Sequence, residues 1–213
     1  MSLQEMEVNA ALIIPAGSDT IATVLSGTLY FLLKNPATLA RLRMELDAAC
    51  PQESDITMDR LAGLPYLRAV INEALRMYPP LPSDLRREVP PEGAVVCGHF
   101  IPGGTIMTVY ALAAYDNQVN FAQPRVFTPE RWLTTDERPD WTRQDHLEGC
   151  QPFSIGPRNC IGMNLAYAET KLVLARLLYR FNMELADDAF DISKQRVYIM
   201  WQKPPLRVYL SRR

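Results

Sequence analysis

The sequence lacks several patterns that mark whole classes of protein. Its four cysteines form no C-x-x-C pair, and no uninterrupted apolar run approaches 18 residues. A disulfide framework is therefore not indicated, which favours a reducing compartment. We expect neither a secretory signal peptide nor a membrane anchor within these 213 residues.

Charge of either sign is not in excess. Lysine and arginine number 22 against 24 aspartate and glutamate residues, for a formal net charge of −2. This balance does not indicate general electrostatic binding to nucleic acid or to a membrane surface. No repeat divides the chain, and 48% of its residues are apolar. We therefore expect one globular domain over residues 1–213, long enough to bury a sizeable core.

Helical periodicity dominates the first part of the chain. Apolar residues from about Met6 to Leu33 predict one long helix, in which Pro15 and Gly17 predict a local distortion near Thr20. A second helix is predicted to begin at Asn35, whose side chain is placed to cap it. Its inward face is predicted to consist of Leu39, Leu42 and Leu46.

Short strands are predicted in two places. Residues 95–101 and 105–109 flank the turn residues Pro102 to Gly104, which predicts a small antiparallel sheet. Residues 197–201 and 206–210 flank Lys203-Pro204-Pro205, which predicts a hairpin near the end. The fold class expected from these patterns is mainly α with small β-sheets, an α+β arrangement.

The densest motif runs from Phe153 to Gly162 and reads F-x-x-G-x-R-x-C-x-G. It fixes the residue at five positions, a coincidence on the order of 10⁻⁵ in a chain of average composition. Its glycines, Gly156 and Gly162, let the backbone approach a flat ligand without a Cβ in the way. Arg158 adds positive charge beside Cys160, a candidate metal-binding thiolate. The alternative is that Cys160 is a small buried hydrophobic residue, a common state of free cysteine.

At each fixed position this loop resembles the haem-binding loop of the haem-thiolate monooxygenases, the cytochromes P-450. The resemblance implies that Cys160 is the axial ligand of a non-covalent b-type haem, with Phe153 packed beside it. Arg158 would pair with a haem propionate, and Gly162 would belong to the same cofactor-binding loop. The implied fold is the C-terminal portion of the cytochrome P-450 fold.

Residues Ala16 to Thr20 read A-G-S-D-T and resemble the distal helix of that family. By resemblance, Asp19 and Thr20 are the catalytic residues: Asp19 would gate protons, and Thr20 would hydrogen-bond dioxygen or its water. From the residues alone, serine and threonine bonding back to the preceding helical turn is an equally good interpretation.

Glu73 and Arg76 lie three residues apart on a helix that Pro79 ends. Taken alone, they predict an exposed ion pair that contributes about a few tenths of a kcal/mol. The resemblance implies instead a buried Glu-Arg-Arg network, completed by Arg131 of the P-E-R-W segment. Such a network would be structural rather than catalytic.

The resemblance also implies residues on the substrate side of the haem. A further propionate contact is expected at Arg87 by spacing, with Arg86 as an open alternative. Three segments would line the substrate side: Ala16 to Thr20, Leu81 to Leu85, and the tip of the hairpin near the end. Apolar residues in the second segment favour a lipophilic substrate.

The activity implied is that of a eukaryotic, fungal-type haem-thiolate monooxygenase. It would insert one oxygen atom from O2 into a lipophilic substrate, with electrons from an NADPH-dependent reductase. Two alternatives stay open: isomerisation or dehydration of a peroxide at the same haem-thiolate, and a truncated, non-catalytic remnant with weak or no haem binding.

The resemblance covers about the C-terminal half of the family fold. The upstream helices and the N-terminal membrane helix are therefore expected outside this sequence. A full-length relative would lie on the cytosolic side of the endoplasmic reticulum membrane and touch the membrane through that missing half. No nucleic-acid partner is expected.

Overall fold

The computed structural model describes residues 1–83 and 85–213, and helices form most of its ordered structure. Short 3₁₀ turns follow one another between residues 129 and 158. The class of mainly α structure with small sheets is confirmed. Within the described residues the α-helices are α1 (Leu3–Lys34), α2 (Pro36–Ala49), α3 (Met58–Ala62), α4 (Pro65–Met77), α5 (Ala111–Tyr115) and α6 (Met163–Arg180).

The core lies where α4 and α6 pack against the second half of α1. Leu32, Leu67 and Leu174, one from each helix, are completely buried. Helix α4 forms because its apolar residues recur every three or four positions, and Pro65 suits its first turn. The inward face predicted for α2 is confirmed at Leu42 and Leu46, which are both buried.

Helix α1 begins with a capping box and continues for 32 residues without interruption. Ser2 Oγ accepts a hydrogen bond from Glu5 N, and the Glu5 carboxylate accepts one from Ser2 N. The helix continues through Pro15, so the predicted distortion does not break it. Burial begins near Thr23, and residues 3–18 are exposed.

By length and apolar composition, α1 is also a candidate membrane span. Its most apolar 18-residue window has a mean hydropathy of 1.4, and 11% of that window is buried. The expectation that the chain carries no such segment is therefore not supported. Ser18, Asp19 and Thr20 break the apolar run in the sequence, yet the average over the window stays high. Core helices of soluble proteins pass the same test.

The start of α2 differs from the prediction in one detail. Pro36 occupies its first turn, but the side chain of Asn35 makes no capping hydrogen bond to α2. Asn35 Nδ2 instead donates to the carbonyl of Phe31 at 2.7 Å, in the last turn of α1. The two helices follow each other so closely that the end of α1 competes for the same side chain.

The first sheet region divides into two antiparallel pairs. Strands β2 (Ala94–Val96) and β3 (His99–Ile101) form a hairpin. Its turn is at Cys97 and Gly98, both with positive φ, rather than at Pro102 to Gly104. Strand β4 (Ile106–Met107) pairs with β1 (Arg87–Glu88) and not with β3, so the predicted single sheet is wrong.

The predicted hairpin near the end is also arranged differently. Strands β6 (Arg196–Val197) and β7 (Trp201–Gln202) pair with each other, so the tip of this hairpin is at residues 198–200. Strand β8 (Val208–Arg212) pairs with β5 (Phe181–Leu185), which follows α6 directly. Lys203 therefore follows the hairpin rather than forming its tip. Pro204 and Pro205 cannot donate to a strand ladder, which separates β7 from β8.

Candidate functional site

Cys160 lies in a tight loop between a short 3₁₀ turn (Gly156–Arg158) and helix α6. The N–H of Cys160 donates to the carbonyl of Phe153 at 2.8 Å, which closes the loop. Gly156 has a φ of +77°, a conformation that a residue with a Cβ rarely adopts. The side chain of Cys160 is exposed, so the alternative of a buried hydrophobic cysteine is wrong.

The surroundings of this loop are apolar and open. Ile155, Ile161 and Leu165 are exposed, and Ile161 is fully so. Phe153 lies at the edge of the core, with its ring centroid 5.2 Å from that of Tyr167. Exposed apolar residues around one thiol form a surface that a flat apolar group could cover.

Helix α6 places its N-terminus beside the same cysteine. It starts at Met163, three residues after Cys160, and runs for 18 residues. The positive end of its dipole therefore points toward the loop. A Cβ built on Gly162 would lie 3.8 Å from Cys160 Sγ, so a side chain at residue 162 would touch the sulfur. Arg158 is exposed at the edge of the loop.

The predicted catalytic pair is held by contacts within and beyond α1. Thr20 Oγ1 donates to the carbonyl of Ala16 at 2.7 Å and lies 3.3 Å from that of Gly17. This is the back-bonded state that the residues alone allowed. Asp19 Oδ1 pairs with Lys203 Nζ at 2.8 Å. This partner could not be predicted from the sequence, because 184 residues separate the two.

The structure brings Glu73, Arg76 and Arg131 together in the core. All three are buried, so the alternative of an exposed ion pair is wrong. Arg76 binds both oxygens of Glu73, at 2.9 and 2.8 Å, and Arg131 Nε binds Oε1 at 3.0 Å. Two further donors, Thr128 N and Trp132 Nε1, complete five hydrogen bonds to one carboxylate.

A second carboxylate, Asp145, joins this network from the stretch of 3₁₀ turns between residues 129 and 158. Its Oδ2 pairs with Arg131 Nη1, and its Oδ1 accepts from Ala122 N at 2.7 Å. Two carboxylates and two guanidiniums then balance to zero net charge in a buried site. Sequence reasoning missed Asp145, because a single acid within a charged, aperiodic stretch carries no distinguishing pattern.

Two of the three segments expected on the substrate side touch each other. Ser83 Oγ donates to the carbonyl of Ile199 at 3.2 Å, which joins the second segment to the hairpin tip, while Asp84 of that segment lies outside the described residues. Asp19, in the segment from Ala16 to Thr20, pairs with Lys203, which follows the hairpin. Arg87 is exposed in β1, and its Nη1 donates to the carbonyls of Leu85 and Arg86.

Comparison with known proteins decides the family. A family model described as Cytochrome P450 matches residues 1–210. The chain belongs to the cytochrome P450 family. The cytochrome P450 monooxygenase aclL of Aspergillus oryzae is 48% identical over 212 residues, which are 99% of this chain and 42% of that protein.

Two further P450 relatives carry more specific names. The trichothecene C-15 hydroxylase of Fusarium sporotrichioides is 44% identical over 212 residues, 99% of this chain and 42% of its own length. The averantin hydroxylase of Dothistroma septosporum is 42% identical over 217 residues, 100% of this chain and 41% of its own length. This P450 chain thus spans about two fifths of the length of these relatives.

Haem iron with a thiolate ligand is the cofactor of the P450 family, and the loop around Cys160 fits it. An exposed thiol, glycines on both sides and exposed isoleucines suit a flat macrocycle that needs one axial ligand. Within residues 1–83 and 85–213, no three histidine, cysteine or acidic side chains form a group that could hold a metal ion. A cationic side chain suited to a propionate, Arg158, lies in the same loop.

Proposed function

We propose that Cys160 is the axial thiolate ligand of a b-type haem, and that the chain is the haem-binding part of a monooxygenase. The observation that carries the proposal is the exposed thiol of Cys160, set among exposed apolar residues at the N-terminus of α6. The P450 family membership supplies the cofactor class. Residues 1–213 would form this part of one P450 domain.

When bound, haem supplies the iron at which O2 is activated, and sulfur ligation favours O–O cleavage. The chain supplies the surroundings. Phe153 would pack beside the sulfur, and Arg158 and Arg87 would neutralise propionates through charge-assisted hydrogen bonds. On the distal helix, Thr20 Oγ1 would turn from the Ala16 carbonyl to donate toward oxygen or its water. Asp19 would pass protons to that site.

The overall reaction proposed is a hydroxylation. One oxygen atom of O2 would be inserted into a substrate C–H bond, whose hydrogen stays on the new hydroxyl group, while the other oxygen atom would leave as water. Two protons and two electrons are needed, and the electrons would come from NADPH through a reductase. Two relatives are named hydroxylases, which supports this reaction class.

The proposed substrate is lipophilic, in keeping with exposed apolar residues at the hairpin tip and at Leu85. For the longer protein expected from the resemblance, we propose a location on the cytosolic side of the endoplasmic reticulum membrane.

The test is the absorption spectrum of the reduced, haem-reconstituted protein under carbon monoxide. A thiolate ligand should give a strongly red-shifted Soret band, and Cys160→Ala should abolish it. Cys97→Ala is the matched control, because Cys97 is the other exposed cysteine. A Cys160→Ala protein that keeps the band would falsify the ligand assignment. A wild-type protein without the band would favour the non-binding alternative.

Measurements of turnover distinguish monooxygenation from the remaining alternative, the isomerisation or dehydration of a peroxide. With a reductase and a lipophilic probe such as lauric acid, NADPH-dependent formation of hydroxylated product supports monooxygenation. Isomerisation of a supplied fatty acid hydroperoxide, without NADPH, would support the peroxide chemistry instead.

A further inference from the structure

Lys203 makes three polar contacts with a single turn of α1. Its Nζ lies 2.8 Å from Asp19 Oδ1, 2.6 Å from Thr23 Oγ1 and 3.4 Å from the carbonyl of Asp19. Thr23 Oγ1 in turn donates to that same carbonyl at 2.7 Å. An ammonium group has three donors, and here all three point to one helical turn beside Thr20.

A rigid contact between the hairpin and α4 sets the position of Lys203. Two residues before it, Trp201 stacks on Tyr78 with ring centroids 4.6 Å apart. Trp201 Nε1 also donates to the carbonyl of Pro79 at 2.7 Å. Tyr78 in turn abuts α1, since a Cβ on Gly27 would come within 2.7 Å of its ring. The backbone that carries Lys203 is thus fixed against the helix that carries Asp19.

Burial distinguishes this contact from an ordinary surface ion pair. Thr23 is buried, and the Lys203 side chain is 24% exposed, whereas 47% of the Asp19 side chain is exposed. Asp19 Oδ1 is therefore held by Lys203, while nearly half of the Asp19 side chain stays exposed to water. An acid held at one oxygen on a partly exposed side chain is arranged to exchange protons with solvent from a constant position.

We propose that Lys203 is a positioning residue for Asp19, and that it fixes the carboxylate for proton delivery beside Thr20. The proposal rests on the function proposed above for Asp19. Lys203 itself touches neither haem nor substrate in this role. It acts by holding Asp19 Oδ1 and the Asp19 carbonyl, through Thr23, in one geometry.

The first experiment needs no haem. With aspartate labelled at the side-chain carboxyl carbon, Asp19→Asn identifies the Asp19 signal in the carbon-13 spectrum of the 213-residue chain. Lys203→Met should shift that signal and Lys203→Arg should restore most of it. Lys194→Met is the matched control, because it removes the same charge from an exposed lysine paired with Asp191. If Lys203→Met leaves the chemical shift of the Asp19 carboxyl unchanged, the proposal is overturned.

The second experiment follows the rate at which the dithionite-reduced, haem-loaded protein re-oxidises in air, which requires neither reductase nor substrate. Lys203→Met should slow re-oxidation by up to about a hundredfold, because a displacement of roughly 1 Å can cost that much. Lys203→Arg should recover the rate. In a protein that already carries Asp19→Asn, Lys203→Met should not slow re-oxidation any further.

The function proposed for the chain and the positioning role of Lys203 can be contradicted separately. If the wild-type protein lacks the red-shifted carbon monoxide band, the proposed function fails, while the carboxyl signal still decides whether Lys203 fixes Asp19. If the band is present, either of two results overturns the positioning role and leaves the proposed function standing. One is a re-oxidation rate that Lys203→Met does not change. The other is a double variant whose rate falls by the product of the two single reductions.

Discussion

Among single residues, exposure separates the four cysteines into two pairs. Cys50 and Cys150 are buried, and burial raises the pKa of the Cys150 thiol to about 12. Cys97 and Cys160 are exposed, but Cys97 lies in the β2–β3 turn and Cys160 in the loop before α6. The two exposed thiols therefore offer an internal comparison for any ligand that binds at only one of them.

Haem should protect Cys160 from alkylation and leave Cys97 reactive. Coordination to iron would engage a lone pair of the sulfur and lower its nucleophilicity, and the haem would cover the surrounding loop. Brief treatment with iodoacetamide followed by peptide mass spectrometry, with and without haem, measures both sites in one sample. Equal protection of both cysteines would indicate a global change in folding rather than ligation. Unchanged labelling of Cys160 in haem-loaded protein would contradict its assignment.

Removing the Thr20 hydroxyl should divert oxygen chemistry toward peroxide. In the haem-loaded protein with reductase, Thr20→Ala should raise hydrogen peroxide released per NADPH consumed, because a positioned donor is lost. Thr20→Ser keeps the hydroxyl and should behave like the wild type. If Thr20→Ala and Thr20→Ser give the same ratio of product to NADPH, the hydroxyl has no role in coupling.

At the scale of elements, the contact between α1 and α4 depends on one glycine. A Cβ on Gly27 would lie 2.7 Å from Tyr78 Cδ1, so Gly27→Ala should cost about 1–3 kcal/mol of unfolding free energy through overpacking. Gly17 lies in the same helix with open space around it. Gly17→Ala should therefore stabilise by about 0.5–1 kcal/mol. Urea unfolding of both variants measures the contrast, and a tolerated Gly27→Ala would argue against this packing.

The buried network should make Glu73 one of the costliest positions to change. Glu73→Ala leaves two buried guanidiniums without their shared partner, for an expected loss of about 3–5 kcal/mol. Arg125→Ala removes an arginine from an exposed pair with Asp116 and should leave the urea midpoint unchanged. Asp145→Asn should resemble Glu73→Ala in direction. A stable Asp145→Asn variant would remove Asp145 from the network.

Helices were predictable here, and strand partners were not. The apolar period of α4 is local, and so are the prolines that bound it. By contrast, β8 pairs with β5, and the position of β5 is set by the packing of α6, which it follows. The residues on either side of residue 206 carry no information about that packing. The same reason hid Lys203 and Asp145, whose partners are set by tertiary packing. The resemblance of the Cys160 loop to a family motif could be recognised in the sequence, because the residues of the loop are contiguous.

Considered as a whole molecule, the protein buries several tyrosine hydroxyls that should make it sensitive to alkali. Burial raises the pKa of Tyr78 from its usual 10 to about 12, and the same cause raises those of Tyr66 and Tyr115. Because the unfolded chain loses these protons first, their stabilisation is complete below pH 10 and is lost as pH rises toward 12. Lys171 acts in the opposite sense, since burial lowers its pKa.

Urea midpoints should therefore fall between pH 10 and pH 12, and Tyr78→Phe should flatten part of that slope. Tyr198→Phe is the control, because Tyr198 is exposed at the hairpin tip. A stability that stays level through pH 11 in the wild type would show that the buried tyrosines do not ionise differently on unfolding.

The neutral network around Glu73 also constrains the order of events during synthesis on the ribosome. Glu73 and Arg76 of α4 cancel each other, whereas the charge of Arg131, in the 3₁₀ turn at Pro129–Trp132, is balanced by Asp145. A lone buried charge costs several kcal/mol, so Arg131 should not be buried against α4 before Asp145 has emerged. The growing chain should keep Arg131 hydrated until more than two thirds of the residues have been made. Nascent chains paused before Asp145 should then be the ones most readily cut by protease at the Pro129–Trp132 turn.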